Sequence, residues 1–315
     1  LIQLFLSRLY PRVLSRLLVF KGGTCLRLFY GLKRYSEDID FTTITAGVAD
    51  IERELERSAH ELGLLNIAAK IIKGKPNKEK NSLNYVLKFK GPLSELVKKE
   101  SSSISINVSM REKVTYDDIE LLVLGSGYGE VRNPQVPTLN EVNIMAEKFR
   151  AAVTRKELKV RDFYDIWHLL ANRQVPVRFE IIHEKMKVYG KPFILADFYA
   201  NLSKARDGWD KYLLHLLPVD ARIPYELVEH GIKEHIKSNI AATVENVIFD
   251  ASKRELRATV GVQQTGGPND FEVTLHTSRK LTIEEERFVE KNLKYYGLQP
   301  TGNIGRKFAV RVGPT

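Results

Sequence analysis

A pair of glycines followed at a fixed interval by an Asp-x-Asp strand constrains this chain most: Lys21-Gly22-Gly23-Thr24, then Ser36-Glu37-Asp38-Ile39-Asp40-Phe41. The apolar run Leu17-Leu18-Val19-Phe20 leads into the glycines as a buried strand leads into a tight turn. Glycine accepts positive φ and lets backbone come close to a ligand. Leu26 to Gly31 reads as one or two helical turns stopped by a glycine. A helix that starts at the pair aims unsatisfied N–H groups at an anion such as phosphate. Asp38 and Asp40 alternate with Ile39 and Phe41, so a strand puts both carboxylates on one face and both apolar groups on the other. Two adjacent carboxylates suit Mg²⁺, which keeps several waters and binds one or two carboxylates plus substrate phosphates. Taken singly, the glycine pair is a turn and the Asp-x-Asp a solvated strand edge. In this order and spacing they describe a phosphate cradle beside a metal clamp.

Composition narrows the setting. A chain of 315 residues, 43% hydrophobic and 28% charged, is an ordinary globular protein of two or three domains. No apolar stretch is long enough for a membrane span. The apolar start, Leu1 to Leu6, precedes Arg8, Arg12 and Arg16 at helical spacing, which suits an amphipathic helix better than a signal peptide. Cys25 is the only cysteine, so there is no internal disulfide, and a reducing, cytoplasmic location is expected. The seven histidines form no zinc pattern. A net charge of +10 favours a polyanionic partner, with nucleic acid first.

Three regions follow from the patterning. Residues 1–135 mix helices and strands, with a helix over 48–64 and strands over 67–73, 84–90 and 103–109. The lysine-rich stretch 73–80 reads as a hairpin tip. Residues 136–240 read as almost all helix, opening with Thr138 and Glu141 as a capping box. Residues 243–315 form a small α+β module joined through 238–243, with strands over 244–249, 256–263, 271–276 and 307–312 and a helix capped at Thr282. From residue 243 on, 11 Lys and Arg face 9 Asp and Glu, so charge does not mark this module as a nucleic-acid reader. The glycines of 125–129 precede no helix start, and Pro134 and Pro137 follow soon after; they read as a connection.

A second polar constellation lies at Glu147-Lys148-Phe149-Arg150-Ala151-Ala152-Val153-Thr154-Arg155 and Arg161-Asp162-Phe163-Tyr164-Asp165-Ile166. Lys148 and Arg155 are two helical turns apart and share a face, with Ala151 and Ala152 keeping that face low. Asp162 and Asp165 share a face of the next helix. These residues make either a salt-bridge cluster between two helices or a cation pair for a triphosphate with acids that orient it.

With both constellations in this order, the chain resembles the AbiEii/AbiGii-type nucleotidyltransferase toxins, a MenT-like group of the DNA polymerase β-like nucleotidyltransferase superfamily. The likeness runs from roughly residue 10 to 238 and leaves the last module outside. It implies an α+β fold: a mixed sheet with helices that carries the metal carboxylates, then a helical domain that closes over the nucleotide. Family members are the toxin halves of toxin–antitoxin and phage-defence systems. Several transfer NMP from a nucleoside triphosphate to a tRNA 3′ end with release of pyrophosphate. Carried onto this chain, Gly22, Gly23 and Thr24 cradle the triphosphate; Lys21 is a further nucleotide-binding candidate, and Arg155 or Arg27 supports Lys148 against the phosphate charge. Asp38 and Asp40 hold Mg²⁺, Lys148 contacts phosphate, and Asp162 is a further essential acid. RNA, with tRNA foremost, and a cognate antitoxin are the implied partners.

The superfamily often adds a third carboxylate from a neighbouring strand. In Ser103-Ile104-Ser105-Ile106-Asn107-Val108-Ser109 that position holds Asn107, whose amide can ligate a cation but carries no charge. Three rival readings stand beside RNA nucleotidylation: transfer to a protein or small molecule; a catalytically weak regulator that binds nucleotide or RNA, which Asn107 favours; and a basic helical half that only packs while the last module binds a partner.

Overall fold

A computed structural model describes residues 1–12, 14–74, 81–91, 102–129 and 131–313. The chain forms two compact units, Leu1–Asn140 and Glu141–Thr315.

The first unit is built on a seven-stranded mixed sheet. Its elements are α1 (Ile2–Leu9), β1 (Leu18–Lys21), α2 (Gly22–Phe29), β2 (Ile39–Thr43), α3 (Val48–Leu62), β3 (Ala68–Lys73), β4 (Ser82–Lys90), β5 (Ser102–Ser109), β6 (Ile119–Val123) and β7 (Gln135–Leu139). The strand order is β3-β4-β5-β2-β1-β7-β6, so β1 and β2 lie in the interior. β1 is buried along its whole length, as its run of four apolar and stem-buried residues predicts. Phe20 of β1 packs on Phe41 of β2 and Phe29 of α2, with ring centroids 5.8 and 6.1 Å apart. Tyr10 stacks edge-on against Phe41 and donates its hydroxyl to the Leu18 carbonyl at 2.9 Å. This aromatic cluster sets β1, β2 and α2 against one another before any polar contact is made. The end of α2 is fixed by Gly31 at φ +73°, which lets the Leu32 N–H return to the Leu26 carbonyl at 3.1 Å. Arg12 lies beyond α1 and clamps α3, meeting Glu54 at 2.5 Å and Glu61 at 2.7 Å.

Two expectations for this region need correction. Thr138 does not cap a helix; it sits in β7, where it pairs with Phe20 of β1 and with Glu120 of β6. Pairing on both sides outweighs the capping signal, and α4 (Glu141–Thr154) starts only after Asn140. β6 and β7 themselves escaped the periodicity reading, because β6 is an edge strand with Leu121 and Val123 exposed. Residues 75–80 of the expected hairpin tip lie outside the described residues.

The second unit begins with α4 and continues through α5 (Val160–Trp167), α6 (Phe179–Lys187), α7 (Leu195–Lys204), α8 (Trp209–Leu213) and α9 (Tyr225–Ala251). It ends with β8 (Ala258–Gln264), β9 (Asp270–Thr277), α10 (Ile283–Tyr295), β10 (Leu298–Thr301) and β11 (Lys307–Val312). The four strands form an antiparallel sheet in the order β10-β11-β9-β8. A π turn, His168–Asn172, extends α5. Phe149 of α4, Phe163 of α5 and Phe198 of α7 meet with centroids 4.6 and 5.6 Å apart. The expected joint at 238–243 and the strand at 244–249 are both inside α9. Ile232, Ile236, Ile240, Val244, Val247 and Ile248 make one buried stripe at helical spacing, and that burial overrides the strand preference of the β-branched residues.

The α10 start carries a complete capping box between Thr282 and Glu285. Arg279 donates both guanidinium branches to Glu285, at 2.8 and 2.7 Å, and the Thr282 N–H adds a third bond at 2.7 Å. The guanidinium first, then the N–H, hold the Glu285 carboxyl down from its ordinary 4.5 to about 2. A carboxyl whose pKa falls on folding adds stability above its unfolded value and loses it as pH drops toward the folded value. Glu285→Gln is therefore expected to destabilise above pH 4.5, with the difference from wild type closing as pH approaches 2; urea unfolding across that range reads it. Thr282→Ala is expected to cost about 1 kcal/mol at neutral pH in the same measurement.

Candidate functional site

In the first unit, β1 ends at Lys21 and α2 starts directly at Gly22, so the strand delivers the chain into the N-terminus of a helix with no intervening loop. Gly22 has φ +81°, and a Cβ there would stand 2.5 Å from Asp40 Oδ2. Only glycine meets both demands. At Gly23 a Cβ would run into the Arg34 guanidinium and lie 3.0 Å from Ser36 Oγ. Arg34 is 1% exposed, so a cation is packed against the start of α2. Thr24 ties the helix to the acidic strand, its Oγ1 donating to the Asp38 carbonyl at 2.5 Å and lying 2.9 Å from Ser36 Oγ.

The sheet register carries the cluster further. Lys21 of β1, Asp40 of β2, Asn107 of β5 and Asn84 of β4 are successive cross-strand partners and so lie in one row. Asn107 donates its amide to Asp40 Oδ1 at 3.0 Å. Lys21 Nζ donates to Glu112 Oε2 at 2.9 Å, with both side chains nearly buried. Asp38 and Asp40 themselves are half-buried. Arg27, further along α2, stacks its guanidinium 4.5 Å over the Tyr35 ring.

In the second unit, Lys148 of α4 is 8% exposed and meets two carboxylates of α5, Asp162 Oδ1 at 2.9 Å and Asp165 Oδ2 at 2.7 Å. Arg155 Nη1 lies 2.8 Å from Asp162 Oδ2, an ionic contact without hydrogen-bond geometry. Asp162 sits in the first turn of α5, where the helix dipole favours negative charge. Phe149 and Phe163, next in sequence to Lys148 and Asp162, reach the same apolar cluster through Phe198 and bring the two helices together. The salt-bridge geometry allowed by the sequence is thus present in full.

The residues singled out in sequence fall into two groups: Lys21, Gly22, Gly23, Thr24, Arg27, Asp38, Asp40 and Asn107 in the first unit, and Lys148, Arg155, Asp162 and Asp165 in the second. Sequence reasoning missed Glu112, Arg34 and the role of Asp165. Glu112 has no periodic signal, and only folding brings it 91 positions back to Lys21. Arg34 follows the helix-ending Gly31 and looks like a solvated loop cation until its burial is seen.

Against this geometry, the crystal structure of JHP933 from Helicobacter pylori aligns with a TM-score of 0.50 at 15% identity, covering 75% of this chain and 88% of that one. A candidate nucleotidyltransferase from H. pylori aligns at 0.49 with 18% identity, covering 75% and 93%. At 15% identity the likeness to JHP933 speaks to the fold alone. None of the curated proteins matches the chain. The model for the nucleotidyl transferase AbiEii toxin of type IV TA systems matches residues 4–259. The protein is a nucleotidyltransferase. It belongs to the AbiEii toxin family of type IV toxin–antitoxin systems, and the match takes in both constellations. Among the described residues no helix is long and apolar enough to cross a membrane.

The Lys148 cluster makes a stability prediction apart from chemistry. Removing one partner from a buried ion group leaves uncompensated charge and costs about 3–5 kcal/mol. Lys148→Met is expected to destabilise the chain by that order in urea unfolding, because Asp162 is 1% and Asp165 0% exposed.

Proposed function

We propose that the protein transfers NMP from a nucleoside triphosphate to an RNA 3′ end, with tRNA the foremost acceptor, in a Mg²⁺-dependent reaction that releases pyrophosphate. The observation that carries this reading is the approach of Asp40 to Gly22: a carboxylate oxygen stands 2.5 Å from where the Cβ of any other residue would fall, at the N-terminus of α2. A helix start, which favours phosphate, and a carboxylate, which favours a cation, therefore share one small space.

The donor set fits Mg²⁺. Asp38 and Asp40 offer two carboxylates, and among the described residues no group of three or more His, Cys, Asp and Glu converges as a closed cage. Mg²⁺ prefers such incomplete sites, which water and substrate phosphates fill. Asp38 and Asp40 would hold the ion, which when bound lowers the pKa of an attacking hydroxyl and stabilises leaving oxyanions. The N-terminus of α2 orients the triphosphate, and the fixed Gly22 turn keeps side chains from crowding it. The family resemblance makes Lys148 a phosphate-contacting residue with Arg155 or Arg27 in support, and within the second unit Asp162 holds Lys148 in place. Positioned charge of this kind supplies most of the catalysis in phosphoryl transfer. The 3′-oxygen forms its bond to the α-phosphorus as the bond from that phosphorus to the β-bridging oxygen breaks.

The acceptor rests on the net charge of +10 and on the toxin family. A cognate antitoxin is the proposed protein partner. The test is incubation with each α-labelled NTP, Mg²⁺ and total tRNA, with protein lysate in parallel. Label is expected on tRNA, and Asp38→Ala and Asp40→Ala are each expected to lower transfer at least about 10²-fold. Transfer retained in the double alanine variant overturns the assignment. Label on protein alone keeps the chemistry and overturns the acceptor.

A further inference from the structure

The geometry points to Asn107 as a positioning residue that aims Asp40 and leaves room for a single divalent cation. This rests on the Asp38 and Asp40 metal reading above. The register sets Asn107 directly beside Asp40 on a parallel neighbour strand, with no choice of partner once β2 and β5 are paired. The amide nitrogen donates to Oδ1 at 3.0 Å. The other oxygen, Oδ2, is the one that comes within 2.5 Å of a Cβ built at Gly22. The two oxygens are therefore divided between tasks: Oδ1 is held from the β5 side, and Oδ2 is presented toward the start of α2.

An amide suits the first task and limits the second. A carboxylate at 107 would lie about hydrogen-bond distance from Asp40 and repel it unless a cation sat between them. Asn107 removes that repulsion, so Asp40 holds its orientation before any ion arrives. It also leaves two carboxylate charges where a pair of cations some 3.5–4 Å apart needs bridging anionic oxygens. Asn107 does not touch the reacting atoms; it acts through Asp40. Outer partners of metal-binding carboxylates commonly matter about 10–100-fold in metal affinity.

The test reads cation binding without turnover. Mn²⁺ alone is titrated into the full chain, and free Mn²⁺ is followed by electron paramagnetic resonance. Wild type is expected to bind one ion, Asn107→Ala to bind it about tenfold more weakly, and Asp38→Ala and Asp40→Ala to lose it. Asn107→Asp supplies a second readout that loss of packing would not mimic: a lower melting temperature than wild type without Mn²⁺, and a larger rise on adding it. Wild-type affinity in Asn107→Ala, a second ion in wild type, or an Asn107→Asp melting temperature indifferent to Mn²⁺ overturns the inference. If Asp38→Ala and Asp40→Ala lose the ion while Asn107→Ala keeps it, the metal site stands and only the role of Asn107 falls. If the two aspartate variants bind as wild type does, the metal reading itself falls.

Discussion

The close approach of Asp40 to Gly22 is the constraint on which the first unit is organised. A strand that carries a carboxylate can come this near a helix start only if the facing residue has no Cβ and can adopt φ +81°. Everything around it serves that contact. The Phe20, Phe41, Phe29 and Tyr10 cluster holds the two strands and the helix at fixed separation. Thr24 pins the helix to the Asp38 backbone. Lys21 and Glu112 close the strand end with a buried pair, which is costly to desolvate and so depends on good geometry. A charge-bearing site of this kind is rigid because apolar packing around it is rigid.

The second unit solves a related problem by other means. Lys148 is buried between two acids rather than exposed as a mobile cation. Its ammonium is thereby oriented, and the pair of acids is prevented from repelling each other. Of the two readings that the sequence allowed, the salt-bridge cluster is the one present in the structure. A lysine held in one place by Asp162 and Asp165 keeps little side-chain freedom.

Much of this was legible beforehand because its signals are local. The glycine pair, the alternation around Asp38 and Asp40, the stripe of α3 and the capping box at Thr282 each lie within a few residues. β11 and α10 likewise stand close to where periodicity puts them. What misled was local signal outvoted by distant contacts. Thr138 has the look of a helix cap, yet hydrogen bonding to β1 and β6 makes it a strand residue. Val244, Val247 and Ile248 have strand propensity, yet a continuous buried face makes them the last turns of α9.

By itself, the amino-acid sequence determined the residue types of the candidate site, their order along the chain and the family to which the chain belongs. Those follow from chemistry that reads off short spacings: carboxylates two apart on a strand, glycines at a turn, cations two turns apart on a helix. Tertiary structure alone decided which of these side chains are already engaged. It set Asn107 beside Asp40, Glu112 beside Lys21, and Asp165 beside Lys148. Each of those pairs depends on strand register or on helices packed through phenylalanines, and neither is written in the spacing of the residues that meet.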